Sequence, residues 1–303
     1  MPRTSRIKGF DAIYHIMSRS ISEVNLFKED DDKKKYLEII KDYKKLYQFK
    51  VYAYCLLSNH VHMIIDVNGA DISKIMHSIN FKYALYFNRK YNRHGHLFQD
   101  RFKSKIVTDD KYLINLSAYI HNNPRDVHGY ENGPEKYYFS SLAVYLGLRK
   151  DPFGIVDEKF ILGLFGNDNK LSRQRYSRLV VLSIEFTPDK EVEFIDDKTE
   201  YKSYRKIMVR EFEREDIIQF VANKTGVEKK KIHLKYIRKY VHAKALIVVL
   251  LKCYCNSSCS ELCDIFGNIT QAAVSRLCRI GLELVESDDK YKKILEEFVI
   301  GWC

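Results

Sequence analysis

The sequence predicts an α+β domain followed by an all-α domain. Two observations carry this. From residue 12 to residue 122, β-favouring runs alternate with amphipathic helical stretches in the order β-α-β-β-α-β-α. Beyond about residue 210 the apolar residues recur only at helical spacing. The first order is that of a ferredoxin-like sandwich, one antiparallel sheet with helices on one face. The second part has the proportions of a helix-turn-helix domain. The expected boundaries are a first domain over 1–148, a helical connector and acidic linker over 149–208, and the helical domain over 209–303.

Each element has a local reason. Residues 12–18 (AIYHIMS) form an apolar, β-favouring run. Residues 30–47 open with three aspartates and then place Tyr36, Leu37, Ile39, Ile40, Tyr43 and Leu46 on one stripe, a helix whose first turn suits its dipole. Residues 49–57 and 61–67 read as the strands of a hairpin turning near Ser58 and Asn59. Asp71 opens a second helix to about Tyr91, with Ile72, Ile75, Ile79, Tyr83 and Phe87 on its apolar side. Residues 102–107 are a short strand, and Asp109 or Asp110 caps a helix that ends near Asn122, before Pro124. Segment 157–182 looks helical, and 185–200, acidic and containing Pro188, looks like a linker. In the last part, 213–225 and 243–253 read as helices, and SSCSELCDIFGNITQAAVSRLCRIGLELV as a short helix, a turn at Gly267-Asn268 and a second helix opened by Thr270.

Charge is uneven. Residues 1–150 hold 25 Lys/Arg against 16 Asp/Glu, residues 151–200 hold 7 against 11, and residues 201–303 hold 19 against 13. Two basic segments flank an acidic one, a distribution that favours polyanions. No apolar run is long enough to span a membrane and no export signal is evident, so the expectation is a cytoplasmic protein without membrane contact. The seven cysteines are then expected as free thiols; the spacing of Cys253, Cys255, Cys259 and Cys263 lacks paired zinc knuckles and reads mainly as buried small residues.

The chemistry-bearing motif is LLSNHVHMIID. His60 and His62 are one residue apart in a strand, so both point to the same face while Val61 points into a core. Two imidazoles on one face are half of a metal site. In AYIHNNP, Tyr119 and Asn123 are four residues apart and share a helix face. Asn123 could supply a third, oxygen ligand, leaving positions open for phosphate oxygens, and Tyr119 a phenol nucleophile. Each feature has an ordinary structural role of its own, and only their order and spacing together point to phosphodiester chemistry. In the second domain Gln271, Ser275, Arg276 and Arg279 are candidate readers of bases or phosphates. In the preceding basic stretch EKKKIHLKYIRKYVHAK, Lys235, Arg238 and Lys239 are candidate DNA contacts.

Residues 8–130 resemble the single-tyrosine HUH transposases, in particular the REP-associated tyrosine transposase branch. The resemblance runs through YHIMSRS, NLF, YAYCLLSNHVHMII, FKYALYFNRKYNRHGHLFQDRFKS and YLINLSAYIHNNPRDV. It implies a ferredoxin-like fold, single-stranded hairpin DNA as substrate and Mg2+ or Mn2+ as cofactor. It places the histidine ligands on His60 and His62, the nucleophile on Tyr119 and the third ligand on Asn123. Arg101 and Lys103, in GHLFQDRFKS, are then expected on the DNA-facing surface. Residues 210–286 resemble the DNA-binding domain of the bacterial replication initiator DnaA, through DIIQFVANKTGV, the basic stretch and ELCDIFGNITQAAVSRL. The start of the recognition helix, ITQAAVS, departs from that family's DHSTVSH, so only double-stranded DNA binding is carried over.

The expected protein is thus a nucleoid-associated bacterial transposase, monomer or homodimer, that cleaves and rejoins single-stranded DNA. A replication-initiator nuclease with the same chemistry and a domesticated, non-catalytic DNA-binding regulator are the alternatives. A histidine-triad hydrolase would need a third histidine where this chain has Ile64.

Overall fold

The computed structural model describes residues 11–22, 24–184, 208, 210, 212–232, 240–267 and 269–302. The expected acidic linker over 185–200, and Lys235, Arg238 and Lys239, lie outside the described residues. The chain divides into two compact units, Met1–Ile207 and Met208–Cys303. Among the described residues no helix is long and apolar enough to cross a membrane.

The first unit is built on a sheet of β1 (Ile13–Arg19), β2 (Lys50–Leu56), β3 (His60–Asp66) and β4 (Lys103–Ile106) in the order β2-β3-β1-β4, with every neighbouring pair antiparallel. Val61, Met63 and Ile65 of β3 share one face with Tyr14, Ile16 and Ser18 of β1. Helices α1 (Asp30–Tyr47) and α2 (Ile72–Lys90) cover it. Tyr36 of α1 donates to Asn80 of α2 at 3.0 Å, and Asn80 donates to Ser18 at 3.1 Å, joining both helices to the sheet. The three-aspartate start of α1 is more than a dipole match. Asp32, fully buried, accepts from the backbone N–H groups of Lys28 and Glu29, from the Tyr91 hydroxyl and from Lys90.

Helices occupy both faces of this sheet, not one. The face carrying His60 and His62 is covered by α3 (Asp110–Asn122), whose start is capped by Asp109 accepting from Tyr112 N–H. Two 3-10 turns, Asn123–Asp126 and Pro134–Lys136, and the short α4 (Leu142–Tyr145) follow. Residues 151–182, expected as a connector, pack on this unit through α5 (Glu158–Gly163) and α6 (Asn169–Leu182). Phe160 stacks on Tyr52 at a centroid distance of 5.0 Å. Asn122 donates to the Val180 carbonyl at 2.7 Å. His121 bonds Tyr176 and Ser141, each at 2.7 Å. Residues on either side of α4 seal the β2 edge, with Leu56 N–H donating to Phe139 O and Asp157 N–H to Val51 O. With both faces and an edge covered, β2 is buried at every position after Lys50, so its sequence shows no in-out alternation.

The second unit is helical: α7 (Arg214–Thr225), α8 (Lys229–Ile232), α9 (Val241–Tyr254), α10 (Cys259–Phe266), α11 (Gln271–Ser287) and α12 (Asp289–Trp302). α9, apolar almost all round, is its buried centre. α11 crosses α9 at Gly281, where any Cβ would collide with the Ala245 carbonyl and Val249. Ser258 and Glu261 form a capping box that starts α10, and Thr270 caps α11. Cys253 is buried, while Cys255, Cys259, Cys263 and Cys278 are half-buried free thiols. α12 extends the helical part beyond the sequence pattern read above; its Phe298 packs on Tyr254 and Phe212.

Candidate active site

The centre of the site is the second face of β3. His60 lies opposite Arg19, and His62 lies opposite Met17 of β1 and Cys55 of β2. The two imidazoles sit side by side, centroids 4.9 Å apart and nearly perpendicular. His62 is buried, and its Nδ1 is 3.1 Å from Nε2 of His15, with the two rings stacked. His60 Nδ1 is 2.6 Å from Oδ1 of Asn59. In both histidines Nδ1 is therefore engaged and Nε2 remains for another partner.

Burial, then the positive charge of Arg19, lowers the pKa of His60 below the ordinary 6.5. Burial, then its two histidine neighbours, takes His62 well below it. Burial and Lys105 bring His15 down to about 4. All three are neutral at neutral pH, the state in which imidazole is a metal ligand.

Tyr119 reaches this face from α3. Its ring meets His62 edge-on at 5.8 Å. Leu113, Leu116 and Ile120 are fully buried and anchor the helix, which stops where Pro124 enters the first 3-10 turn. Asn123, buried, donates from Nδ2 to the Tyr119 carbonyl at 2.8 Å. Burial raises the Tyr119 phenol above its ordinary 10, the charge of Asp126 raises it further, and a hydrogen bond from Asn123 opposes them. The nucleophile predicted from sequence is thus a phenol held protonated at rest.

His60 and His62 lie together and Tyr119 adjoins them, with Asn123 bonded to that tyrosine. The donor chemistry fits a divalent cation: two neutral imidazoles, each with one nitrogen uncommitted, and an amide oxygen. Among the described residues no three His, Cys, Asp or Glu side chains converge as a ligand set. Of the expected DNA contacts in this unit, Arg101 is exposed just before β4, and Lys103 pairs with Met17, on the same sheet face as His62. Gln271, Ser275, Arg276 and Arg279 are all exposed on α11 of the other unit.

Three residues at the site escape the sequence reading. His15, Arg19 and Lys105 all lie on the histidine face, His15 opposite Lys105 and Arg19 opposite His60. His15 is a polar residue inside an apolar run, which is a signal. What it faces depends on β1 pairing with β3, a contact between residues 47 positions apart.

Residues 8–123 match the family model described as "Transposase IS200 like". That span contains His60, His62 and Tyr119 and ends on Asn123. No curated protein matches the chain. Among solved structures, the chain is similar to a REP-associated tyrosine transposase bound to a REP hairpin. That similarity has 17% identity and a TM-score of 0.41, over 50% of this chain and 90% of that one.

Proposed function

We propose that the first unit cleaves and rejoins single-stranded DNA through a covalent phosphotyrosine on Tyr119, the chemistry of a transposase, and that the second unit binds duplex DNA. The observation that carries the reading is the contact between His62 and Tyr119, residues from separate motifs of one family pattern that meet across β3 and α3. The protein acts as a monomer or a homodimer.

The Tyr119 phenol oxygen attacks the phosphorus of a phosphodiester and the bond to the 3′ oxygen breaks. The products are a 5′ phosphate esterified to tyrosine and a free 3′ hydroxyl that carries the proton given up by the phenol. Attack by a second 3′ hydroxyl reverses the step and joins a new strand end, so no bond energy is lost. Asn123 donates to the Tyr119 carbonyl at the end of α3, and its side chain lowers the pKa of the phenol, which favours the developing phenolate. Arg101 and Lys103 offer positive charge to the strand backbone beside the reacting phosphate. His60 and His62, through Nε2, and the Asn123 amide would hold Mg2+ or Mn2+, which would supply charge neutralisation at that phosphate. On α11, Gln271, Ser275, Arg276 and Arg279 face outward as a recognition helix requires, and Lys235, Arg238 and Lys239 add phosphate contacts. The protein then acts on chromosomal DNA in the bacterial cytoplasm.

The test is incubation with labelled single-stranded hairpin DNA and Mn2+, read as a covalent protein–DNA band. The band is expected from the native chain and not from Tyr119→Phe or in EDTA. No band from the native chain refutes the cleavage reading, and a band from Tyr119→Phe refutes the nucleophile.

A further inference from the structure

The structure assigns a positioning role to His15: its Nε2 accepts the proton on Nδ1 of His62 and thereby fixes His62 in the tautomer that presents a bare Nε2 toward Tyr119 and the phosphate site. The inference rests on the reading of His60 and His62 as ligands, and adds the residue that makes one of them competent.

The argument begins with the register. β1 and β3 pair antiparallel with Met17 opposite His62 and His15 opposite Ile64, so His15 is the diagonal neighbour of His62 on the same face. That geometry brings His15 Nε2 to 3.1 Å from His62 Nδ1 with the rings stacked, their planes 23° apart. Two neutral imidazoles share one hydrogen between those atoms. If His15 donates, the proton of His62 sits on Nε2 and its lone pair is consumed by the bond, and His62 cannot ligate. If His62 donates, its Nε2 is free. The same contact therefore decides whether the pair can hold a cation.

His60 shows the same arrangement in a form with one solution. Its Nδ1 faces an amide oxygen, Asn59 Oδ1, which only accepts, so the proton of His60 is on Nδ1 and Nε2 is bare. Asn59 is in turn tied to β1, its carbonyl accepting from both the N–H and the hydroxyl of Ser20. Both histidines thus lean on a partner behind them through Nδ1, the arrangement by which outer groups orient metal-ligating imidazoles. Asn59, in the turn before β3, and His15, within β1, do the same job for His60 and His62.

The experiment reads the tautomer directly. Two-bond 1H–15N spectra of the histidine rings are recorded on the metal-free full chain for the native protein, His15→Phe and His15→Gln. Phenylalanine keeps a ring against His62 without an acceptor; glutamine keeps an acceptor. His62 is expected to carry its proton on Nδ1 in the native chain and in His15→Gln, and to become a mixture of tautomers in His15→Phe. In parallel, Mn2+ titration followed by the electron paramagnetic resonance of the free ion is expected to show affinity lowered about 10- to 100-fold in His15→Phe. His15→Gln should stay close to the native value. A native His62 protonated on Nε2 overturns the inference, as does native-like Mn2+ affinity in a folded His15→Phe. Loss in His15→Gln as large as in His15→Phe also overturns it, since packing and not the hydrogen bond would then matter. A native chain that shows the expected tautomer but binds no Mn2+ upholds the positioning and refutes the metal reading.

Discussion

The neutral, buried His121 makes the first unit sensitive to acid in a way that one substitution can isolate. Its two nitrogens are both engaged, Nδ1 with the Tyr176 hydroxyl and Nε2 with the Ser141 hydroxyl. Tyr176 donates onward to Ser117 and Ser117 to the Ile114 carbonyl, so the Tyr176 oxygen receives the proton of His121, while the Ser141 hydroxyl lies between His121 Nε2 and the Tyr54 carbonyl. Burial lowers the pKa from 6.5 to about 3. The unfolded chain therefore binds this proton more readily than the folded one. The associated stability is full above about pH 6.5, falls as pH drops through the unfolded value, and is exhausted near the folded value. Between about pH 7.5 and pH 4.5 the histidine alone removes about 3 kcal/mol, from about two pH units at about 1.4 kcal/mol each. His121→Gln retains a donor and an acceptor and cannot charge. Urea unfolding of the full chain, detected by pulse proteolysis with peptides from 110–182, measures both proteins at both pH values. The native chain is expected to lose about 3 kcal/mol more than the variant over this range. Equal losses refute the assignment of a neutral, acid-labile histidine at the α3–α6 contact.

Two further outcomes follow from the second unit. Gly281→Ala forces a methyl group against the Ala245 carbonyl, a backbone atom that cannot rotate away, and should destabilise this unit by about 1–3 kcal/mol, measured through the fluorescence of Trp302, the chain's one tryptophan. Arg276→Ala and Arg279→Ala should each weaken binding to labelled duplex DNA and lower the slope of log affinity against log salt by about 1; an unchanged slope removes that arginine from the phosphate contacts.

What the sequence discloses is local. The helix over 30–47 is found with those bounds because its acidic first turn and apolar stripe are written within eighteen residues. The shared face of His60 and His62 follows from strand alternation alone, and the link between Tyr119 and Asn123 from helix pitch. What stays hidden is every relation that needs two distant segments. His15 and Arg19 acquire their roles only from the β1–β3 register. The support behind α3 comes from residues beyond 150, which composition presents as a connector. β2 and β3 conceal their orientation because both faces of the sheet are buried, so apolar residues occupy inward and outward positions alike.

The bonds from α6 to α3 also bear on how the chain can be taken apart. The family pattern stops at Asn123, and the shift in charge suggests a cut near 148. A fragment ending there would carry the whole reactive constellation, yet lack Tyr176 and Val180, to which the two residues next to Asn123 are fastened. His121 would open to water and the last turn of the tyrosine helix would fray, displacing Tyr119 with it. The smallest portable fragment that keeps this scaffold accordingly ends after Leu182, and a piece trimmed to the recognisable motif would keep the candidate residues and lose the support that aims them.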